Sequence, residues 1–186
     1  MTSTQIRTQR IDTPRPGPAV WLLGAHGGAG VSTLVHYLRF AGDSHRQWPC
    51  GTDRENESPY VVIVARETSD GLKAAHELIR EHHDRGLASE LLGLITVASS
   101  HRLDKRVRQY RDVVTAPASV PAHWPIGWHP FLVSAAMPTL PHWHPLDGVP
   151  EPAKNTGAAV PADVITAGIG IVTAIQRGLP HLRGEH

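Results

Sequence analysis

The chain has 186 residues, of which 40% are hydrophobic, and this is enough to bury the core of one domain. Its 18 basic and 17 acidic residues give a net charge of +1, so composition excludes a protein whose overall charge directs it to nucleic acid or to acidic partners. The single cysteine, Cys50, excludes an internal disulfide framework, and the N-terminus lacks the apolar core of a signal peptide. These features predict a cytoplasmic protein. The longest uncharged apolar stretch, 164–176, is shorter than the roughly 20 residues of a membrane-spanning helix.

Composition divides the chain into three parts. Residues 1–18 are polar, contain three prolines and lack periodicity, which predicts a flexible N-terminal tail. Residues 19–150 form the predicted domain, which contains a polar, turn-rich loop at 41–59 that is either functional or disordered. Residues 151–186 form a C-terminal segment with proline and glycine, and its apolar stretch predicts a core or docking helix at about 161–177.

Strand and helix patterns alternate through the predicted domain. Apolar runs at 20–23, 60–65 and 91–98 predict strands that are buried on both faces of a parallel sheet, and another strand is placed near 118–123. Helical spacing of apolar residues follows residue 30, recurs from a cap at Ser69 or Asp70 to Gly86, and returns from Leu103 to Val114. This alternation predicts βαβ units, and therefore an α/β fold with a mostly parallel sheet.

The segment between the first strand and the first helix is dense in glycine. In "HGGAGVST", residues 26–33, the glycines permit positive φ and let backbone N–H groups approach an anion. Ser32 lies where a hydroxyl reaches a magnesium ion, whereas Val31 occupies the place of the lysine that neutralises the β- and γ-phosphates. The pattern predicts a loop that binds phosphate and hydrolyses it poorly. The alternatives are an inherited strand-to-helix turn that is now empty, or a chance run of glycines.

This segment resembles the deviant P-loop of the ParA/MinD-type partitioning and positioning ATPases, K-G-G-x-G-K-[ST]-T. The glycines, Ser32 and Thr33 match, while His26 and Val31 replace the two lysines. The resemblance implies a three-layer P-loop NTPase-like α/β domain, reduced in size, that binds ATP or another nucleotide with Mg²⁺. It further implies that Ser32 holds the metal when nucleotide binds, and that the nucleotide contacts come from His26, Gly27, Gly28, Ala29, Gly30, Val31, Ser32 and Thr33.

The resemblance spans about 19–140 and has a gap in its middle. Segments 60–79 and 91–100 are similar to the later strands of a MinD-type domain, but nothing corresponds to the second strand or to the apolar run whose final aspartate holds the metal. No aspartate ends a run of four apolar residues. Asp43 is either a metal ligand after the first helix or an ordinary helix-end carboxylate. With Val31 in the lysine position and no such aspartate, the sequence predicts no catalytic residue and no efficient ATPase.

Two functions follow as alternatives. The first is weak nucleotide or phosphate binding with little or no hydrolysis, which the resemblance places in plasmid or chromosome partitioning or in the maintenance of a mobile element. The second is a pseudo-NTPase interaction or scaffold module that binds no nucleotide. Either function uses a protein partner or a homodimer. His26 is either a partial substitute for the lost lysine charge or a polar loop residue.

Several other residues are candidate sites with an ordinary structural alternative. The pairs His76/His83 and His142/His144 suggest zinc ligands but lack the usual third ligand, and Cys50 is a candidate nucleophile with no assignable histidine. Trp124, Trp128 and Trp143 form either a partner-binding surface or a cover for a sheet edge. A basic group of residues forms either a nonspecific DNA contact, as the resemblance implies, or a solvated helix face: Arg102, Lys105, Arg106, Arg108 and Arg111.

Overall fold

Apolar runs separated by turns form strands and helices in the computed structural model, which describes residues 4–7, 13, 17–150 and 157–178. The strands of this described part are β1 (Val20–Gly24), β2 (Ala41–Asp43), β3 (Tyr60–Arg66), β4 (Glu90–Val97) and β5 (His123–Ile126). The helices are α1 (Val31–Tyr37), α2 (Ser69–Arg85), α3 (Lys105–Val114) and α4 (Ala162–Gly178). Short 3₁₀ turns at Pro130–Val133, Met137–Thr139 and Pro145–Asp147 connect β5 towards α4.

The strands form one sheet in the order β2-β1-β3-β4-β5, and every neighbouring pair is parallel. Alternate side chains of β1 and β3 enter two apolar clusters, one on each face of the sheet. Helices α1 and α4 cover the first cluster, and α2 and α3 cover the second. The predicted three-layer α/β architecture with a small parallel sheet is therefore confirmed.

The order in which strands are added to the sheet switches sides at β1. The chain passes through α1 to β2 on one side of β1, and then to β3 on the other side. Because the crossovers to the two sides lie on opposite faces, a crevice opens at the carboxyl ends of β1 and β3, where ligands of open α/β sheets bind. The glycine-rich segment begins at this crevice.

Three details differ from the sequence prediction. Residues 41–59 were predicted as a loop, but residues 41–43 form strand β2 because Val20, Trp21 and Leu22 of β1 supply its pairing partners. The last strand lies at 123–126 and not near 118–123, and it tolerates a proline because it forms the edge of the sheet. Thr68 caps α2, and its hydroxyl accepts a hydrogen bond from the backbone N–H of Gly71, whereas the sequence indicated Ser69 or Asp70.

Part of the predicted N-terminal tail is attached to the domain. Arg7 donates its backbone N–H to the carbonyl of Trp48 at 2.9 Å, and Trp48 donates its own to Gln5 at 2.9 Å. Thr4 donates to Glu81 of α2. We call residues 4–7 the N-terminal strap. The rest of the predicted tail, apart from residues 13, 17 and 18, lies outside the described residues.

Helix α4, predicted at about 161–177, packs on one face of the sheet, and two of its glycines contact tryptophan rings. Gly168 lies against the buried ring of Trp143, and Gly170 lies against Trp124 of β5. Both tryptophans therefore pack against α4 in the first apolar cluster. No helix in the described ranges has the length and apolarity to cross a membrane. Residues 151–156 and 179–186 of the predicted C-terminal segment lie outside the described residues.

Candidate functional site

The glycine loop, residues 25–30, turns the chain from β1 into α1 over an open space. Gly28 and Gly30 adopt φ values of 77° and 105°, which residues with a side chain rarely adopt. A Cβ added at Gly27 or Gly28 would meet no atom within 4 Å, so the outer side of the loop is open. A cavity of about 490 Å³ lies there, and its lining includes Gly24, residues 26–33, Asp43, His45, Arg46 and Arg66. We call it the loop cavity.

His26 braces the loop against β3. Its Nε2 accepts the backbone N–H of Arg66 at 3.2 Å, so the ring proton lies on Nδ1, which donates to the carbonyl of Gly27 at 2.8 Å. In this arrangement both ring nitrogens are occupied by the protein backbone. His26 therefore acts as a polar loop residue that fixes the turn through two backbone hydrogen bonds.

Arg66 brings a positive charge to the loop cavity from the end of β3. Its Nε donates to the carbonyl of Gly28 at 3.2 Å, and its Nη1 donates to the carbonyl of Ala98 at 3.3 Å. Within the described residues no carboxylate pairs with this guanidinium. Its Nη2 donors have no protein acceptor among these residues, so the fixed charge is available to an anion in the cavity.

The remaining predicted loop residues divide into buried and exposed positions. Ala29 is 2% exposed and belongs to the core, and Val31 packs against the same apolar cluster. Ser32 is exposed at the start of α1 and lines the loop cavity together with Thr33. The position that carries lysine in the resembling family therefore serves packing in this chain.

Asp43 ends β2 and lines the loop cavity, so it is not a helix-end carboxylate. Its Oδ1 accepts the backbone N–H of His45 at 2.7 Å. After Ser44, His45 and Arg46 have φ values of 52° and 59° without being glycine. Two consecutive left-handed residues cost stability, and this turn directs the chain along the wall of the cavity.

The oxygen donors in the loop cavity suit a magnesium ion of the kind that accompanies nucleotide phosphates. Mg²⁺ is commonly bound through one or two protein oxygens together with phosphates and water. Ser32 and Asp43 both line this cavity, and their hydroxyl and carboxylate would be those ligands. No group of three or more histidine, cysteine or carboxylate side chains in the described part of the chain could hold a metal without such a ligand.

A second cavity of about 190 Å³ lies beside the first, between α1, α4 and the ends of β4 and β5. Both cavities are lined by Gly30, Thr33 and Arg66. We call it the Tyr37 cavity, because the buried Tyr37 lines it. Burial and the nearby Asp163 carboxylate raise the pKa of the Tyr37 hydroxyl.

The wall of the Tyr37 cavity is fixed by a hydrogen bond between His129 and Asp163. The His129 Nε2 lies 3.0 Å from Oδ1 of Asp163, whose Oδ2 accepts the backbone N–H of Gly127 at 2.7 Å. Burial alone would raise the pKa of Asp163, but the hydrogen bonds from His129 and from the N–H groups of Gly127 and Val164 outweigh it and lower that pKa. These contacts attach the start of α4 to the segment after β5.

The five basic residues predicted as a group near α3 differ in exposure and in their partners. Arg111 turns inwards and pairs with the buried Glu67 at 3.3 Å and with Asp112 at 3.0 Å. Burial would lower the pKa of Arg111, but these acidic partners raise it. The other four predicted residues, Arg102, Lys105, Arg106 and Arg108, are exposed.

The predicted histidine pairs and Cys50 have other partners. His76 contacts the hydroxyl of Tyr110 at 3.3 Å, whereas the ring of His83 lies against His82. His144 accepts the backbone N–H of Leu146 as a cap, and His142 is exposed. The Cys50 thiol donates to Glu57 at 2.8 Å. None of these contacts forms a zinc site or a cysteine–histidine pair in the described residues.

Sequence analysis did not select Arg66 or Tyr37 as site residues. A signal for Arg66 was present, because a charged residue at the carboxyl end of a strand adjoining a glycine loop lies at the ligand-binding edge of a parallel sheet. No such signal marks Tyr37, whose position in the helical pattern is that of a core residue.

Comparisons with known proteins give one finding. Residues 18–138 match the family described as "Family of unknown function (DUF6668)". This match covers both β1 and the glycine loop and extends beyond β5. No curated protein and no solved structure matches the chain.

Proposed function

The chain belongs to the DUF6668 family, whose function is not known, and we propose that it binds the phosphate groups of a nucleotide in the loop cavity, with little or no hydrolysis. The observation that carries the proposal is the position of Arg66. Its guanidinium is tied to the loop at Gly28 and has no carboxylate partner among the described residues. A fixed cation beside open backbone N–H groups is the arrangement that binds phosphate.

The loop cavity also has the remaining parts of a phosphate site. Gly28 and Gly30 hold the open turn, Ser32 and Thr33 supply hydroxyl groups, and Arg46 adds a second positive charge. Asp43 and Ser32 would hold Mg²⁺, which would neutralise phosphate charge when bound. The cavity is large enough for a polyphosphate, since small-molecule sites span about 300–1,000 Å³.

Slow hydrolysis follows from what lines the cavity. Phosphoryl transfer requires charge stabilisation at the β- and γ-phosphates, and in P-loop proteins a lysine from the loop itself supplies much of it. The aliphatic Val31 occupies that place and packs into the core. Arg66 is hydrogen-bonded to two carbonyls of its own chain. These bonds hold the guanidinium in a position that suits anion binding, and they restrict the movement it would need to follow the charge that develops on a phosphate during transfer. We therefore propose binding without efficient turnover.

The resemblance to ParA/MinD-type proteins supplies the setting of this proposal. We propose a role in plasmid or chromosome partitioning or in mobile-element maintenance, through a protein partner or a homodimer. The exposed basic residues near α3 are the proposed place for nonspecific DNA contact. The proposed compartment is the cytoplasm, where a free thiol such as Cys50 stays reduced.

The test is a calorimetric titration with tripolyphosphate, which carries phosphate charge but no base. We expect saturable binding, weakened at least tenfold by Arg66→Gln, because a hydrogen bond to a charged group contributes about 1.5–3 kcal/mol. Arg102→Gln is the matched control, since Arg102 is exposed and lies outside both cavities. Gly30→Val should abolish binding because valine does not tolerate a φ of 105°.

Two results would contradict the proposal. If tripolyphosphate fails to saturate the wild-type protein at millimolar concentration, the alternative of an interaction module without nucleotide is favoured. If Arg66→Gln and Arg102→Gln weaken binding equally, the anion binds to general surface charge and not to the loop cavity. Phosphate release from Mg-ATP, measured in parallel, is expected to stay at the rate of the protein-free control.

A further inference from the structure

The two helical layers of the molecule differ in charge. On the face of the sheet with the second apolar cluster, α2 has seven acidic or basic residues among 17, and α3 has five among ten. On the opposite face, α1 has none, and α4 has only Asp163 and Arg177, one near each of its ends. A helix layer that is exposed to water normally carries charged residues on its outer side. The layer of α1 and α4 lacks them along most of its length.

The connector from β5 to α4, residues 127–150, extends this uncharged layer. Its one acidic or basic residue is Asp147, whose carboxylate accepts the backbone N–H of His144. Trp143 ties the connector to α1, because its backbone N–H donates to the carbonyl of Tyr37 at 2.8 Å. Five of its side chains pack inwards on the first apolar cluster: Phe131, Leu132, Ala135, Leu140 and Trp143. We call α1, α4 and the connector together the α1/α4 face.

Large apolar side chains are exposed on the α1/α4 face. Leu146 is 88% exposed and Val133 is 76% exposed, so neither contributes to the core of its own chain. Of the seven large apolar side chains that are exposed in the described residues, five belong to this face: Val133, Met137, Leu146, Val149 and Ile169. Single exposed apolar residues are common, but a set of them on an uncharged surface is typical of a surface that another macromolecule covers.

The charge pattern indicates what covers the α1/α4 face. Nucleic acid and anionic membrane surfaces are bound through lysine and arginine, and residues 113–150 contain neither. A charged protein surface would lose hydration here without gaining an ion pair. A second copy of the chain presents the same uncharged, apolar surface. A two-fold contact places this surface against itself, and no like charges oppose each other.

We propose that two copies of the chain associate through their α1/α4 faces as a two-fold symmetric homodimer. The inference rests on the homodimer named in the proposed function and assigns a surface to it. It does not depend on phosphate binding, because none of the five exposed apolar residues lines the loop cavity. The charges that adjoin this face, Arg39 after α1 and Arg177 at the end of α4, suit the polar rim of such a contact.

Sedimentation equilibrium of the full-length protein tests the dimer. We expect the mass to rise with concentration from that of one chain towards that of two. Leu146→Glu and Met137→Glu should each raise the dissociation constant of the dimer at least tenfold, because an unpaired carboxylate would be buried in each half of the contact. Val113→Glu is the matched control, since Val113 is 57% exposed but belongs to α3 on the other face of the sheet. It should leave the dissociation constant unchanged.

Two further measurements separate a lost contact from a damaged fold. At concentrations where the protein is monomeric, the melting temperatures of all three variants should match that of the wild type, because the replaced side chains are exposed. Amide hydrogen exchange of the wild type, compared at low and high protein concentration, should become slower in residues 133–149 and 164–176 as the dimer forms. Exchange in α2 and α3 should not depend on concentration.

Three results would overturn the inference. The first is a protein that stays monomeric at millimolar concentration; if this monomer binds phosphatidylcholine vesicles, the face belongs to an uncharged lipid surface and not to a second copy. The second is a dimer that Val113→Glu weakens as much as Leu146→Glu does, which would place the contact elsewhere. The third is a dimer that forms only with tripolyphosphate and that Leu146→Glu does not weaken.

The outcomes also distinguish this inference from the proposed phosphate site. Tripolyphosphate should bind Leu146→Glu as tightly as it binds the wild type, because Leu146 lies outside the loop cavity. If the dimer shows the expected losses while tripolyphosphate fails to bind, the dimer contact stands and the phosphate site fails. If tripolyphosphate binds and the protein stays monomeric, the phosphate site stands and the dimer contact is refuted.

Discussion

At the scale of single residues, the positive charge at the loop cavity comes from Arg66 of β3 and not from the glycine loop, where the sequence pattern would place a lysine. A loop lysine would lie where Val31 packs, but Arg66 enters the same space from the neighbouring strand. His26 connects the two, because its ring accepts from Arg66 and donates to Gly27. The cation and the residue that holds it in place therefore lie 40 residues apart in sequence.

Asp163 gives a pH-dependent prediction. Hydrogen bonds from His129 and two backbone N–H groups lower the pKa of Asp163 in spite of its burial. A lowered pKa means that the charged form stabilises the fold above the ordinary carboxyl range and that this stabilisation is lost as the pH falls through the folded pKa. We expect Asp163→Asn to lower the free energy of unfolding by about 1–3 kcal/mol at pH 7.

Urea denaturation from pH 7 down to pH 2 measures this effect. The difference in unfolding free energy between wild type and Asp163→Asn should shrink below about pH 4 as the carboxylate becomes protonated. Asp84→Asn is the control, because Asp84 is exposed on α2. A difference that stays constant across this range would contradict the assigned role of the charge.

At the scale of elements, α4 depends on the two glycines that face tryptophan rings. A Cβ at Gly168 would lie 2.6 Å from Cζ3 of Trp143 and 3.0 Å from Cδ2 of Leu38. Both neighbours are buried and have little room to move. The close approach lets α4 cover this face of the sheet and support one wall of the Tyr37 cavity through Val164.

Gly168→Ala tests this packing against helix propensity. Alanine favours an exposed helix interior over glycine by about 1 kcal/mol, so a purely local effect would stabilise the protein. We expect destabilisation by about 1–3 kcal/mol instead, because the added methyl group overlaps Trp143. Thermal denaturation of the double variant with Trp143→Leu should show a smaller loss from Gly168→Ala.

Gln176→Ala is the control substitution for the stability change caused by Gly168→Ala in α4. Gln176 is exposed on α4, so the substitution should change stability by less than about 0.5 kcal/mol. A melting temperature of Gly168→Ala at or above that of the wild type would show that α4 lies less tightly on Trp143 than described.

At the scale of the whole molecule, the N-terminal strap connects parts that are distant in sequence. Arg7 donates through Nη2 to the carbonyl of Ser44 at 2.6 Å, and Arg85 of α2 donates to the carbonyl of Thr4 at 3.0 Å. Ser44 follows Asp43 directly and precedes the two left-handed residues of the cavity wall. The strap therefore holds the turn that forms one side of the loop cavity.

Arg7→Ala should loosen this turn without unfolding the sheet. We expect faster amide hydrogen exchange in residues 44–48, because the carbonyl of Ser44 loses a donor and the strap loses an anchor. Exchange within β3 and β4 should not change, since these strands are paired on both sides. The same substitution at the exposed Arg39 should leave residues 44–48 unaffected. Equal exchange in both variants would contradict a supporting role for the strap.

The parts of the fold that sequence analysis found are those with continuous apolar runs, such as β3 and β4. Strand β2 has only three residues and includes a glycine and an aspartate, so its strand character comes from pairing with β1. For the same reason Asp43 could not be recognised as a strand-end carboxylate. The glycine loop was found from residue type alone, whereas the place of Arg66 depends on which strands are neighbours and that of Tyr37 on packing between α1 and α4.

The parallel arrangement has a consequence for how the chain reaches its final state during synthesis. Without hairpins in this sheet, β1 leaves the ribosome before any of its partners exist, and α4 is the last described helix to be made. Until α4 arrives, the apolar side chains of β4 and β5 that it covers face water. A nascent chain that stops before residue 162 therefore exposes the apolar surface that α4 covers in the complete fold.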